Sequence, residues 1–71
     1  MAAKAKREFT VVIERDEEGW YVARVPELRG CHTQAKSLDT LMKRVRDVIE
    51  LCIEDGNESD LELVGVQRVT L

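Results

Sequence analysis

The chain is poor in the residues that build most catalytic and metal centres: its 71 residues include one His, two Cys, one Trp, one Tyr, one Phe and one Pro. One His and two Cys fall short of a closed four-ligand zinc site, and neither C-x-x-C nor H-x-x-x-H spacing occurs. No apolar run approaches the roughly 20 residues of a membrane-spanning helix, so no membrane partner is expected. The opening MAAKAKR lacks an apolar signal core; residues 1–7 read as a flexible basic tail, and the cytoplasm is the expected compartment. In a reducing cytosol, Cys31 and Cys52, both in apolar settings, are expected to be buried free thiols. A Gly-rich phosphate loop, a G-x-S-x-G elbow and an aromatic-plus-basic RNA-binding pattern are all missing. Eleven basic against fourteen acidic residues give a net charge of −3, which argues against direct nucleic-acid binding and suits a basic protein partner.

What is present, 44% hydrophobic and 35% charged residues, is the composition of a globular chain, read as a single domain over residues 1–71. A domain this small hides only roughly 60% of its unfolded surface. A second copy or a partner is therefore expected to complete it.

Periodicity orders the chain as βββαβ. Between Arg7 and Arg15 the residues Phe9, Val11 and Ile13 alternate with Thr10, Val12 and Glu14, the pattern of a strand with one buried face. DEEG at 16–19 reads as a hairpin loop of about four residues. A second strand runs from Trp20 to Val25 and stops at Pro26, which has no N–H to give the ladder. PELRG connects to a short third strand, Cys31 to Ala35, in which His32 and Gln34 take the opposite face. Ser37 is an N-cap, and Asp39 suits the positive end of the helix that follows. Leu38, Leu41, Met42, Val45, Val48, Ile49 and Cys52 form one apolar stripe, with Gly56 as the stop; Leu51 points away from it. A final strand is expected from Leu63 to Thr70, with a slip in its alternation.

One helix covers one face of such a sheet. With Phe9, Val11, Ile13, Tyr21, Ala23, Cys31 and Thr33 turned to the helix, the other face presents Val12, Trp20, Val22, Arg24, His32 and Gln34. A Trp beside two Val on an open face is an adhesive patch, so these six residues form the expected partner or oligomer surface. Through this face or the sheet edge the chain is expected to form a homodimer or a higher even-numbered oligomer, with Trp20 near the contact.

Catalysis is not expected. Cys31 and His32 are neighbours in a strand and leave on opposite faces, so they cannot share a proton as nucleophile and base. A ribonuclease H-like nuclease also begins βββα, but needs carboxylates on strand one, the helix and strand four. Glu14 and Glu50 could be imagined in two of these roles, yet Leu63 to Thr70 holds no acid and Glu50 lies on the polar helix face. No metal or cofactor is therefore expected, and Lys43, Arg44 and Arg46, interrupted by Asp47, read as a solvated helix face.

The stretch GWYVARVPELRGCHTQAKS, with the helix after it, resembles the HicB-like antitoxin family. The resemblance is carried by Gly19, Tyr21, Val22, Ala23, Val25, Pro26, Glu27, Leu28, Gly30, Cys31, Thr33, Gln34, Ser37 and Leu38, and covers Phe9 to about Glu54. It implies an α+β domain: a three-stranded antiparallel sheet, one helix on one face and a fourth strand, like a truncated ribonuclease H fold without its metal site. Arg29 stands where the family usually has a second Pro, Ala35 where it has Gly, and Asp39 and Thr40 where two acids are common. Many relatives continue into a promoter-binding segment, and no such segment is expected here. The resemblance implies an antitoxin that occludes a small, basic, HicA-like messenger-RNA-cleaving toxin with an acidic, partly apolar surface. The competing expectation is a stand-alone homo-oligomeric scaffold or small-ligand-binding domain.

Overall fold

A computed structural model describes residues 7–71, so the tail expected at 1–7 lies, apart from Arg7, outside the described residues. The elements are β1 (Val12–Arg15), β2 (Tyr21–Arg24), β3 (His32–Ala35) and α1 (Leu38–Glu54). The strands form one antiparallel sheet in the order β1-β2-β3, with α1 on one face. The fold is α+β; its likeness to ribonuclease H-like domains is loose and rests on the β-β-β-α order.

Local chemistry explains each boundary. In the β1–β2 hairpin the Asp16 carboxylate accepts from the amides of Glu18 and Trp20, both at 2.9 Å, and Gly19 takes a φ of 86° that a side chain would strain. The Ser37 hydroxyl accepts from the Thr40 amide at 3.2 Å and opens α1. At its other end Gly56, at φ 70°, donates to the Ile53 carbonyl (3.1 Å), and Asn57 donates to that of Cys52 (2.9 Å). These two bonds make a Schellman cap, the stop expected at this glycine.

The core lies between the sheet and α1. Ala23 and Ala35, small residues on the inner face, let the helix approach closely, and Leu41 and Val45 fill the space above them. A second cluster, Val25, Leu28, Cys31 and Cys52, closes the end near the β2–β3 connection, with Phe9, Val48, Ile49 and Ile53 around it. Burying each of the larger side chains contributes roughly 1.5–3 kcal/mol.

Three expectations need correction. Leu63 to Thr70 forms no strand in this chain, and Val64, Val66 and Val69 are 91%, 78% and 77% exposed. Their β-branched composition favours a strand, but no strand exists without a neighbour to pair with. Secondly, α1 packs on β3 and β2 and not on β1, which leaves Ile13 at 42% exposure on the inner face rather than under the helix. Lastly, the helix stripe is open at its start, where Leu38 and Met42 are 47% and 41% exposed.

Candidate partner-binding surface

The register decides which side chains share the outer face. Val12 pairs with Arg24, and Arg24 with His32; Glu14 pairs with Val22, and Val22 with Gln34. Since side chains alternate along each strand, these two rows stand on the face away from α1. Trp20, two positions before Val22, stands on that face as well. All six residues expected there, Val12, Trp20, Val22, Arg24, His32 and Gln34, are thus brought together.

Val12, Trp20 and Val22 are half-buried, while Arg24, His32 and Gln34 are exposed. Lys36 explains part of the cover on Trp20: its ammonium lies 4.6 Å from the centre of the indole ring and donates to the Glu18 carbonyl at 3.3 Å. At the β3 edge the Arg44 guanidinium reaches from α1 to the Gln34 carbonyl at 2.7 Å. Periodicity missed both. Lys36 lies between two elements, and Arg44, on a helix face that reads as solvated, has the reach to meet the β3 edge.

Two shallow clefts adjoin the outer face. One, of about 390 Å³, is lined by Arg24, Val25, Pro26, Leu28, Cys31 and His32, with Gly30 at its rim. The other, of about 360 Å³, lies between Val22, His32, Thr33, Gln34 and Arg44. His32 borders both.

The charge of the face departs from the expected acidic character. Arg24, Lys36 and Arg44 outnumber Glu14 here, and the acidic excess of the chain sits in the hairpin loop, in the last turn of α1 and beyond it. Glu17 and Glu18, both exposed, border the Trp20 end of the face. What the surface offers is an apolar centre ringed by hydrogen-bond donors, with acids at one end.

Cys31 is buried on the inner side and His32 exposed on the outer, so the geometry separates them as their adjacency requires. Burial, then the neighbouring Cys52 thiol, push the Cys31 thiol up from 9.0 to about 12. A thiol protonated at neutral pH is a poor nucleophile. Among the described residues no three His, Cys, Asp or Glu side chains gather in a metal-holding group, and no helix is long and apolar enough to cross a membrane.

The β2–β3 connection also does something that the sequence did not reveal. Arg29 donates its amide to the Asn57 carbonyl at 2.7 Å and its guanidinium to the Glu58 carbonyl at 3.0 Å, and Ser59 donates to the Glu27 carbonyl at 2.9 Å. The Glu27 carboxylate accepts from the Thr10 amide at 3.0 Å. The loop therefore fastens the chain entering β1 and the chain leaving α1.

The family described as HicB-like antitoxin of bacterial toxin-antitoxin system matches residues 9–70. A UPF0150 protein from Archaeoglobus fulgidus is 60% identical over 62 residues, covering 86% of this chain and 90% of its own. Another, from Synechocystis, is 48% identical over 67 residues, covering 93% and 97% respectively. A third, from Thermotoga maritima, is 38% identical over 64 residues, covering 86% and 85%.

Proposed function

The chain belongs to the family of HicB-like antitoxins of bacterial toxin–antitoxin systems, and from that premise we propose that it binds and occludes a small HicA-like messenger-RNA-cleaving toxin through the outer face of its sheet. The observation that carries this reading is the gathering of Val12, Trp20 and Val22 on one uncovered face, ringed by Arg24, His32, Gln34 and Arg44. Apolar centres with polar rims are the usual anatomy of a protein-binding patch, and a half-buried Trp is a common anchor. A basic toxin would meet Glu17 and Glu18 at the Trp20 end of the face, where opposite charge speeds encounter.

The chain then acts by covering its partner's active site and performs no chemistry itself, in keeping with a protonated Cys31 set apart from His32. Its place of action is the cytoplasm, where the toxin's messenger-RNA substrate lies. The test is to mix the purified chain with a purified small HicA-like toxin from the same organism and to follow RNA cleavage. Stoichiometric chain should abolish cleavage, and Trp20→Ala or Val22→Asp should weaken the complex by at least about thirtyfold, the scale of losing an interface anchor. Undiminished cleavage at a tenfold excess of chain would reject the reading. Retained inhibition by both variants would move the binding surface elsewhere.

A further inference from the structure

The chain after α1 is held firmly and then let go. Residues 57–59 are fixed by the bonds to Glu27 and Arg29 and by an isolated bridge between Leu28 and Glu58. The Leu61 amide then donates to the Ser59 hydroxyl at 3.0 Å, and the chain bends there. Beyond the bend, LVGVQRVTL has strand-forming composition, yet it joins no ladder of the sheet and its valines stand exposed. The radius of gyration is 14.0 Å, against about 11 Å for a compact domain of this length, and the longest dimension is 48 Å. An apolar arm that projects from its own domain requires a strand to pair with and a face to cover.

The sheet has two edges, and they differ. At β3 the Gln34 carbonyl is already taken by Arg44. At β1, the Asp16–Trp20 bond fixes the alternation of the β1–β2 ladder. By that alternation Ile13 and Arg15 turn their backbone N–H and C=O groups outward, away from β2. The same strand carries the exposed Ile13 side chain on the inner face, where α1 does not reach. An added strand at β1 would satisfy those groups and cover Ile13 together.

We propose that residues 63–70 form the fourth strand in trans, each arm adding to the β1 edge of a second copy in a reciprocal exchange. The occupant is a copy of this chain because the arm and the edge that fits it are both present in every copy, and mutual exchange closes with two-fold symmetry. The arm is also rooted where the chain enters β1, through the Arg7–Glu58 ion pair at 2.8 Å, so two copies meeting at their β1 edges bring each root close to the other's edge. The outer face stays open in such a dimer. This assembly does not require the toxin, and its failure would leave the proposed function untouched.

Sedimentation equilibrium of the full chain across a dilution series, without toxin, tests it together with the paired variant Val64→Asp, Val66→Asp and the single variant Trp20→Ala. The wild type and Trp20→Ala should be dimers, and the arm variant should raise the dimer dissociation constant at least about a hundredfold. Because a variant can misfold, a dimer mixed from differently isotope-labelled wild-type chains supplies a second readout: contacts between residues 63–70 and 11–15 should cross between labels. A monomeric wild type, an arm variant as dimeric as wild type, or contacts confined within one label would each overturn the exchange. Dissociation by Trp20→Ala with a dimeric arm variant would place the dimer on the outer face instead.

Discussion

Comparing Arg29→Pro with Arg29→Ala separates the two bonds that this side chain and its backbone make. Arg29→Ala removes only the guanidinium bond to the Glu58 carbonyl (3.0 Å), which lies at the surface and contributes about 0.5–1 kcal/mol. Arg29→Pro also removes the amide that donates to the Asn57 carbonyl at 2.7 Å. Two bonds of about 1 kcal/mol each, less about 0.4–1 kcal/mol recovered by restricting the unfolded chain, leave a net loss of about 1–2 kcal/mol. Ser59 keeps its bond to Glu27 in both variants, so the effect falls first on local docking of residues 57–59. Amide exchange at Ser59 is therefore the assay: protection should fall about fivefold to thirtyfold in Arg29→Pro and less in Arg29→Ala. Unchanged protection in Arg29→Pro, or an equal effect in the two variants, would show that the Arg29 amide holds nothing.

Leu41 is completely buried over Ala23 and Ala35, and Leu41→Ala should cost about 2–5 kcal/mol in urea unfolding; less than about 1 kcal/mol would mean that the core is not centred there. Cys31→Ala and Cys52→Ala should each lower stability by roughly 1–2 kcal/mol and leave partner binding intact. The Cys31 thiol also makes stability depend on alkali: folded it keeps its proton to about 12, whereas unfolded it loses it near 9.0. Between those values the unfolded state binds fewer protons, so stability is intact below pH 9 and falls towards pH 12, by at most about 1.4 kcal/mol per unit. Cys31→Ala should flatten that decline, and an identical slope in the variant would refute the assignment.

The helix was legible because its signals are local: Ser37 caps it, seven apolar residues repeat at its period, and Gly56 adopts the left-handed conformation that ends it. The hairpin was legible for the same reason, since Asp16 and Gly19 carry its turn. Alternation also sorted the two sheet faces, and so the six outer residues. Other features depend on where elements come to rest. Phe9 and Val11 alternate like strand residues and pack on the core, but the Thr10 amide goes to the Glu27 carboxylate, and the ladder begins only at Val12. Periodicity gives the face a helix buries but not where it sits across a sheet, so the exposure of Ile13 could not be foreseen. Arg29 was visible as a departure from the family pattern, while its use, fastening the chain after α1, required the contact itself.

The two uncovered surfaces differ in a way that bears on how each would be used. On the outer face Val12, Trp20 and Val22 are only half exposed, Lys36 lies over the indole, and Arg24, His32 and Gln34 stand among them. Such a surface tolerates water, because its apolar atoms are partly covered before any partner arrives, and mixed polarity of this kind is usual where partners come and go. The arm is different: four apolar side chains between Leu61 and Val69 are 77% to 91% exposed, and nothing polar folds back over them. Surfaces that resemble a core cut in half belong to permanent assemblies, whose subunits do not meet water separately. The proposed toxin partner suits the first surface, and the proposed second copy suits the second. Using the outer face for both would make dimer and toxin compete for Trp20; using the β1 edge for the dimer lets both be held at once.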